Sequence, residues 1–202
     1  MRWIVSIDGR DASRGIAWAR AFLARFDTSR VEWVRIDLGR GRFSGAYGRC
    51  WYPDRNRKTY RISCQVPGPF PTTIRTRKPP IYERPDGTWP LSWGNPDGTP
   101  LAANLPSGCE LGAFVEDMRD GSVRRWFRVV GRTELRDIDE GVVWVLAHEA
   151  FHFLRKTRQV PGCNTEIEAD AFADRMLDEF RAGREETPAK PGEVPGSQGA
   201  CS

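Results

Sequence analysis

Alternating apolar and polar residues mark several short strands in the first two thirds of the chain. Within residues 31–38 the alternation runs through Val34, Ile36 and Leu38, and a period of two residues is typical of a strand with one buried face. Similar patterns predict five more strands: residues 2–8, 45–52, 59–66, 112–118 and 123–130. One polar turn joins segments 45–52 and 59–66, and another joins segments 112–118 and 123–130. Each pair is therefore predicted to be antiparallel.

Two other segments have helical periodicity. Residues 13–26 place apolar side chains three or four positions apart between arginines, which predicts an amphipathic surface helix. Residues 138–157 are apolar on nearly every side, and a helix of that kind is buried. Asp137 and Glu140 have the spacing of a capping box at its start. The chain is therefore predicted to be α+β, with a small sheet packed on a central helix.

Two segments lack such periodicity. Residues 67–108 hold ten of the fifteen prolines, and proline fixes φ and removes a backbone donor. This segment is predicted to be a loop or insertion, either a flap beside a cleft or a cover over the sheet. Residues 184–202 are rich in Pro and Gly and are predicted to be a disordered tail. Residues 1–183 then form a single domain.

Composition agrees with one globular domain, since the chain has 202 residues, of which 39% are hydrophobic and 29% charged. No apolar stretch approaches the length of a transmembrane helix, and the N-terminal apolar run is too short for a signal peptide. A cytoplasmic protein without membrane attachment is the expectation. The five cysteines include no C-x-x-C pair, which argues against a disulfide framework and a four-cysteine zinc site.

The net charge of +4 comes from an excess of basic residues that are mostly arginine. Trp51, Tyr52 and Tyr60 lie among basic residues of the same segment, a mixture that can stack on bases while contacting phosphates. A hairpin with a basic turn explains the same pattern more simply. Nucleic-acid binding is left open but is not favoured.

The chemistry of the chain is concentrated in His148-Glu149-Ala150-Phe151-His152, which contains the only two histidines and reads H-E-x-x-H. Residues four apart on a helix share a face, so both imidazoles can bind one zinc ion. Glu149 projects from a neighbouring position and suits a general base that takes a proton from zinc-bound water. The predicted buried helix supplies the backbone that this motif needs.

A catalytic zinc site normally has three protein ligands and an open position for water. The long pattern H-E-x-x-H-x-x-G-x-x-H is excluded, because Arg155 and Arg158 occupy its later positions. An acidic ligand from a following helix is the alternative. Thr165 and Glu168 have capping-box spacing at the start of such a helix.

The two motifs together resemble the gluzincin metallopeptidases. Residues 166–173, Glu-Ile-Glu-Ala-Asp-Ala-Phe-Ala, are similar to the E-x-E-A-D/N-x-F-A segment of bacterial and phage ImmA/IrrE-like and M48-like enzymes. The resemblance implies that Glu166 is the third zinc ligand and that Asp170 orients His148 or His152. Glu168 and Cys163 remain alternative ligands.

A weaker resemblance links the segments Gly48-Arg49-Cys50 and Tyr60-Arg61-Ile62 to strands of SprT-like metallopeptidases. These resemblances imply a zincin-like fold, in which a small twisted sheet packs on an active-site helix and on a second helix that carries a ligand. They also imply a protein or peptide substrate that adds to an exposed strand.

The sequence thus predicts a zinc metalloendopeptidase with His148, His152 and Glu166 as ligands and Glu149 as base. Because both histidines are already used, a Tyr, an Arg or a backbone N–H must stabilise the oxyanion. The alternative is a regulatory or binding protein with a structural or vestigial zinc site.

Overall fold

The computed structural model describes residues 1–6, 12–38, 47–84, 87 and 110–185. In this part of the chain the fold is mixed α/β, with eight strands in two sheets and three helices. The strands are β1 (Arg2–Ser6), β2 (Val31–Leu38), β3 (Gly48–Trp51), β4 (Tyr60–Val66), β5 (Thr72–Arg77), β6 (Ile81–Tyr82), β7 (Glu110–Asp117) and β8 (Val123–Leu135). The helices are α1 (Ser13–Leu23), α2 (Ile138–Lys156) and α3 (Glu166–Glu185).

The first sheet has the strand order β1-β2-β4-β3. β1, β2 and β4 are parallel, and β3 runs antiparallel to β4, which confirms the predicted pairing of these two segments. The apolar positions of the alternating pattern form the buried face, where Val34, Ile36, Ile62 and Cys64 are fully buried. α2 packs on this sheet and contacts α1 and α3.

The second sheet has β8 at its centre, paired antiparallel with β5, β6 and β7. The predicted hairpin of β7 and β8 is confirmed, although β8 continues to Leu135. β5 and β6 lie in the proline-rich segment, so the prediction of a loop is wrong for these residues. The prolines flank Thr72–Arg77 without interrupting it, and Ile74 and Thr76 alternate as its buried positions. Residues 85–86 and 88–108 of the predicted loop lie outside the described residues.

The central helix α2 begins at the predicted N-cap residue, Asp137, but the reciprocal bond of a capping box goes to the backbone N–H of Arg136 instead of that of Asp137. Asp137 accepts a hydrogen bond from the Glu140 N–H at 2.9 Å, and the Glu140 carboxylate accepts one from the Arg136 N–H at 2.9 Å. Nearly all of the helix is buried, from Ile138 to Leu154, as its apolar sequence predicts. This burial places the H-E-x-x-H motif inside the molecule.

α3 follows α2 after a short loop and packs along it. The Thr165 hydroxyl accepts a hydrogen bond from the Glu168 N–H at 3.3 Å, in agreement with the predicted helix start. Ala169 and Ala173 are fully buried, and their small side chains allow the two helices to approach closely. The helix continues to Glu185, so the prediction of a disordered tail over residues 184–202 is wrong for its first two residues. Residues 186–202 of that tail lie outside the described residues.

Two further expectations from the sequence concern residues that the structure describes. None of its helices has the length and apolar character needed to span a membrane. Cys50, Cys64 and Cys163 are present there as free thiols.

Candidate metal centre

α2 and α3 bring His148, His152 and Glu166 together. The Nε2 atom of His148 lies 3.4 Å from Oε2 of Glu166, and the Nε2 atom of His152 lies 3.5 Å from Oε1 of the same carboxylate. One ligand atom from each residue lies within 4.8 Å of the others. Metal–ligand bonds of about 2.0–2.1 Å in a tetrahedral site place neighbouring ligand atoms ~3.3 Å apart, close to the two observed distances. The residues therefore fit a bound metal ion, and the geometry does not identify the metal.

The other ring nitrogen of each histidine faces an oxygen atom. Asp170 Oδ1 lies 2.9 Å from Nδ1 of His148, in a contact that is close but not aligned as a hydrogen bond. Asn164 Oδ1 lies 3.0 Å from Nδ1 of His152. Such contacts fix the ring orientation and turn Nε2 towards a metal. The resemblance left open which histidine Asp170 contacts, and in the structure it is His148.

Glu168 and Cys163 lie outside this group. The Glu168 carboxylate accepts a hydrogen bond from the Cys163 N–H at 2.8 Å, which closes the loop in front of α3. The Cys163 side chain is exposed. Among the described residues, the potential ligand set therefore contains Glu166 and neither alternative.

Glu149 is buried beside the triad without joining it, with 7% of its surface exposed. Its carboxylate accepts a hydrogen bond from the backbone N–H of Cys50 in β3. Gly48 leaves room for it, because a Cβ at this position would lie 2.6 Å from Cγ of Glu149. Burial raises the pKa of Glu149 to about 7; the negative charge of Glu166 adds to this effect, and His148 opposes it. A carboxyl group with this pKa can both accept and release a proton near neutral pH.

The triad is strongly coupled electrostatically. Burial alone would lower the pKa of His148, but contacts with the carboxylates of Asp170 and Glu166 outweigh it and raise the pKa to about 9. Contact with His148 in turn lowers the pKa of Glu166 to about 2. Burial lowers the pKa of His152. When no ion is bound, the positive charge of protonated His148 therefore compensates the negative charge of the neighbouring carboxylates. A metal ion that binds must displace this proton.

A cleft of about 900 Å³ opens onto the triad. Tyr52 lines it, and the Tyr52 hydroxyl accepts a hydrogen bond from Nδ2 of Asn164 at 3.2 Å. Burial is the main cause that raises the pKa of Tyr52, so the phenol keeps its proton at neutral pH. Asn164 thus links one histidine of the triad to a phenol at the edge of the cleft.

Sequence reasoning missed Asn164, Gly48 and Arg77 as residues of the site. Arg77 contacts it twice, because its Nη1 atom lies 2.8 Å from Oε2 of Glu166 and its backbone N–H donates to Asp170 at 2.5 Å. No sequence motif marks this arginine, which belongs to a strand that was not predicted. A glycine inside a strand can signal a close approach, and Gly48 lies within the predicted strand 45–52.

The chain matches no protein-family model, no curated protein and no solved structure. Its function must therefore be argued from the geometry of the site.

Proposed function

We propose that this chain is a zinc-dependent metallopeptidase with a zincin-like arrangement of its active-site helix, ligand helix and edge strand. The observation that supports this proposal most is the position of Glu149. It lies buried beside three converged ligand side chains and is absent from the ligand set. A purely structural metal site has no use for such a carboxylate, whereas hydrolysis requires a base at this place.

His148, His152 and Glu166 would hold the ion. When bound, zinc would supply a Lewis acid for a peptide carbonyl and would lower the pKa of a water molecule. Glu149 accepts the proton from that water and delivers it to the leaving amine. Its pKa of about 7 suits both transfers.

Tyr52 is the donor that we assign to the oxyanion. The sequence left a Tyr, an Arg or a backbone N–H for this role, and Tyr52 is a protonated phenol on the cleft wall next to Asn164. A fixed donor aimed at the developing negative charge stabilises the transition state more than the substrate.

β3 supplies a binding edge for the substrate. In the described part of the chain it is the last strand of its sheet and pairs with β4, and Gly48, Arg49 and Cys50 line the cleft. An extended peptide that adds to this edge passes directly beside Glu149.

The proposal is tested by incubating the zinc-loaded protein with an unfolded protein substrate and identifying the products by mass spectrometry. We expect internal peptide-bond cleavage that stops when a chelator removes the metal and returns when zinc is restored. Tight zinc binding without cleavage of unfolded or folded protein substrates would instead support a structural site in a regulatory or binding protein.

A further inference from the structure

The two helices of the metal centre face each other through pairs of side chains that repeat every four residues. His152 of α2 faces Glu166 at the start of α3, and His148 faces Asp170. The pairs advance along α3 while they go back along α2, so the two helices are antiparallel. Because residues four apart share a helix face, the next pair in this series joins Trp144 of α2 to the residue four positions after Asp170.

That residue is Asp174, and its carboxylate binds the Trp144 indole. Oδ1 of Asp174 accepts a hydrogen bond from Nε1 of Trp144 at 2.9 Å and another from the Thr133 hydroxyl at 2.8 Å. Oδ2 accepts a hydrogen bond from Nζ of Lys78 at 2.8 Å. Trp144 is buried, and a buried indole N–H needs an acceptor. Asp174 therefore fixes the direction in which the indole ring lies.

The Trp144 ring in turn covers one face of the His148 imidazole. The two ring centroids are 5.4 Å apart and the ring planes differ by 28°, which is a stacked arrangement. Asp170 approaches the same imidazole at Nδ1, but this contact is not aligned as a hydrogen bond. Asp170 therefore restricts the position of the Nδ1 edge, and the stack on Trp144 restricts the tilt of the ring. Both restraints turn Nε2 of His148 towards Glu166.

We propose that Asp174 and Trp144 are positioning residues of the metal centre: Asp174 holds the indole, and the indole holds His148 in the orientation that binds the ion. This inference rests on the metal site of the proposed function. The competing explanation is that Asp174 and Trp144 only stabilise the packing of α3 on α2 and β8. A packing role changes the stability of the fold, whereas a positioning role changes the metal affinity of protein that is already folded.

The test measures the Kd for Zn²⁺ by competition with a chromophoric chelator, so that it does not depend on turnover. Trp144→Phe keeps an aromatic ring without the N–H, and Asp174→Leu removes the acceptor. Each should weaken zinc binding by about tenfold or more, an effect typical of residues that orient a metal ligand. Asp174→Asn keeps a carbonyl oxygen as the acceptor, and its Kd should stay within about threefold of the parental value.

A double variant shows whether the two residues act through the same contact. Trp144→Phe combined with Asp174→Leu should weaken zinc binding no more than the stronger single change, because the second change removes a contact that is already lost. Two controls should keep the parental Kd. Lys78→Met removes a different partner of Asp174, and Trp18→Phe makes the same aromatic change in α1, where Trp18 stacks on Phe22.

Proton NMR of the histidine rings in the zinc-free protein gives a second readout, because the chain has only two histidines. An indole stacked on an imidazole shifts the imidazole ring protons upfield. Asp174→Leu should move the His148 signals downfield, and Asp174→Asn should leave them in place. His152→Gln assigns the two sets of signals.

Four results would overturn the inference: parental zinc affinity in Trp144→Phe, additive losses in the double variant, an equal loss in Trp18→Phe, or unmoved His148 signals in Asp174→Leu. If Asp174→Leu does not fold, Trp144→Phe compared with Trp18→Phe decides the question.

Proteolysis by the parent protein separates this inference from the proposed function. A parent that binds zinc and cleaves no protein contradicts the peptidase alone. A parent that cleaves, with Trp144→Phe binding zinc equally well, contradicts the positioning role alone. If the parent binds no zinc, both proposals fail.

Discussion

The direction in which each ring faces decides what the site can do. His148 and His152 present Nε2 to Glu166 because Asp170 and Asn164 face their Nδ1 atoms. The same Asn164 donates to the Tyr52 hydroxyl. A change in Asn164 or Tyr52 is therefore expected to alter the geometry around His152 as well as to remove a polar group.

Removal of the Tyr52 hydroxyl tests its assigned role. Tyr52→Phe should lower kcat by about 10²–10³-fold with little change in KM, because the donor acts on charge that develops in the transition state. Zinc content should stay the same. Steady-state kinetics on a cleaved peptide measure both constants, and Tyr82→Phe, an exposed phenol on β6, is the control. An unchanged kcat in Tyr52→Phe would show that a donor other than Tyr52 stabilises the oxyanion.

For individual residues of the site, the sequence predicts those whose roles depend on local spacing. His148, Glu149 and His152 follow from helix geometry, and the structure brings both histidines to Glu166. Asn164 could not be predicted in the same way, because its contact with Tyr52 joins residues 112 positions apart. A pairing of that kind depends on the fold of the whole chain and leaves no local pattern.

The site is assembled by three elements that each contribute one part. α2 provides the histidines and Glu149, α3 provides Glu166, and β3 positions Glu149 through the N–H of Cys50. Gly48 of β3 also lies against Glu149. A Cβ there would lie 2.6 Å from Glu149 Cγ and 2.8 Å from the oxygen of Ser63, a backbone atom that cannot swing aside as the end of a flexible side chain can.

Gly48→Ala should therefore displace the base while leaving the ligands in place. We expect about one equivalent of zinc and a kcat lowered by about 10²-fold, since a displacement of 1 Å can have an effect of this size. The control is Gly183→Ala in α3, where the added Cβ would meet nothing within 4 Å and alanine should stabilise the helix by roughly 0.5–1 kcal/mol. Parental kcat in Gly48→Ala would show that β3 does not position the base.

A buried ion pair joins the start of α2 to the end of α3. The Glu140 side chain is 1% exposed, and Nη2 of Arg181 lies 2.6 Å from its carboxylate. Burial by itself would raise the pKa of Glu140, but the hydrogen bonds from Arg181 and the Arg136 N–H outweigh it, and the pKa is lowered from 4.5. Because the folded state favours the ionised carboxylate, the stabilisation is present above the unfolded pKa and is lost as pH falls through the folded pKa.

Glu140→Gln should lower the free energy of unfolding by about 1–3 kcal/mol at pH 7. The difference from the parent should narrow as the pH falls below the unfolded value of 4.5. Urea unfolding of the zinc-free proteins over this pH range measures the difference in the free energy of unfolding between Glu140→Gln and the parent. Glu179→Gln, an exposed position on α3, should change stability by less than about 0.5 kcal/mol. A difference that widens on acidification would contradict the assignment.

In the whole molecule, the candidate metal centre joins α2 to α3, and these two helices contact different sheets. β4 and β3 of the first sheet contact α2, and β5 of the second contacts α3. A bound ion adds a further link between α2 and α3 in the folded state. Removal of the ion is therefore expected to weaken the whole domain.

Chelation should lower Tm by about 5–10 °C, because zinc at a hundredfold excess over its Kd stabilises the folded state by about 2.7 kcal/mol. Differential scanning calorimetry with zinc and with chelator measures the shift. Glu166→Gln replaces the ligand carboxylate by a neutral amide. Its Tm values with zinc and with chelator should therefore differ much less. Equal Tm values for the parent under both conditions would contradict a zinc site that links the helices.

The global arrangement was predicted least well. Local alternation was sufficient to identify β2, β4 and the β7–β8 hairpin. It could not indicate that Thr72 of β5 pairs with Leu135 of β8, a contact between residues far apart in sequence. The density of prolines between residues 67 and 108 obscured a six-residue strand, because prolines beside a strand look the same in composition as prolines within it.

In the proposed mechanism, His148, His152 and Glu166 hold zinc while Glu149 acts separately as the base. The most direct measurement determines zinc per chain and proteolysis together in three glutamine variants. We predict that Glu149→Gln keeps about one zinc and loses cleavage, that Glu166→Gln loses both, and that Glu168→Gln keeps both. Cleavage by Glu149→Gln at the parental rate, or full zinc retention by Glu166→Gln, would contradict these roles of Glu149 and Glu166.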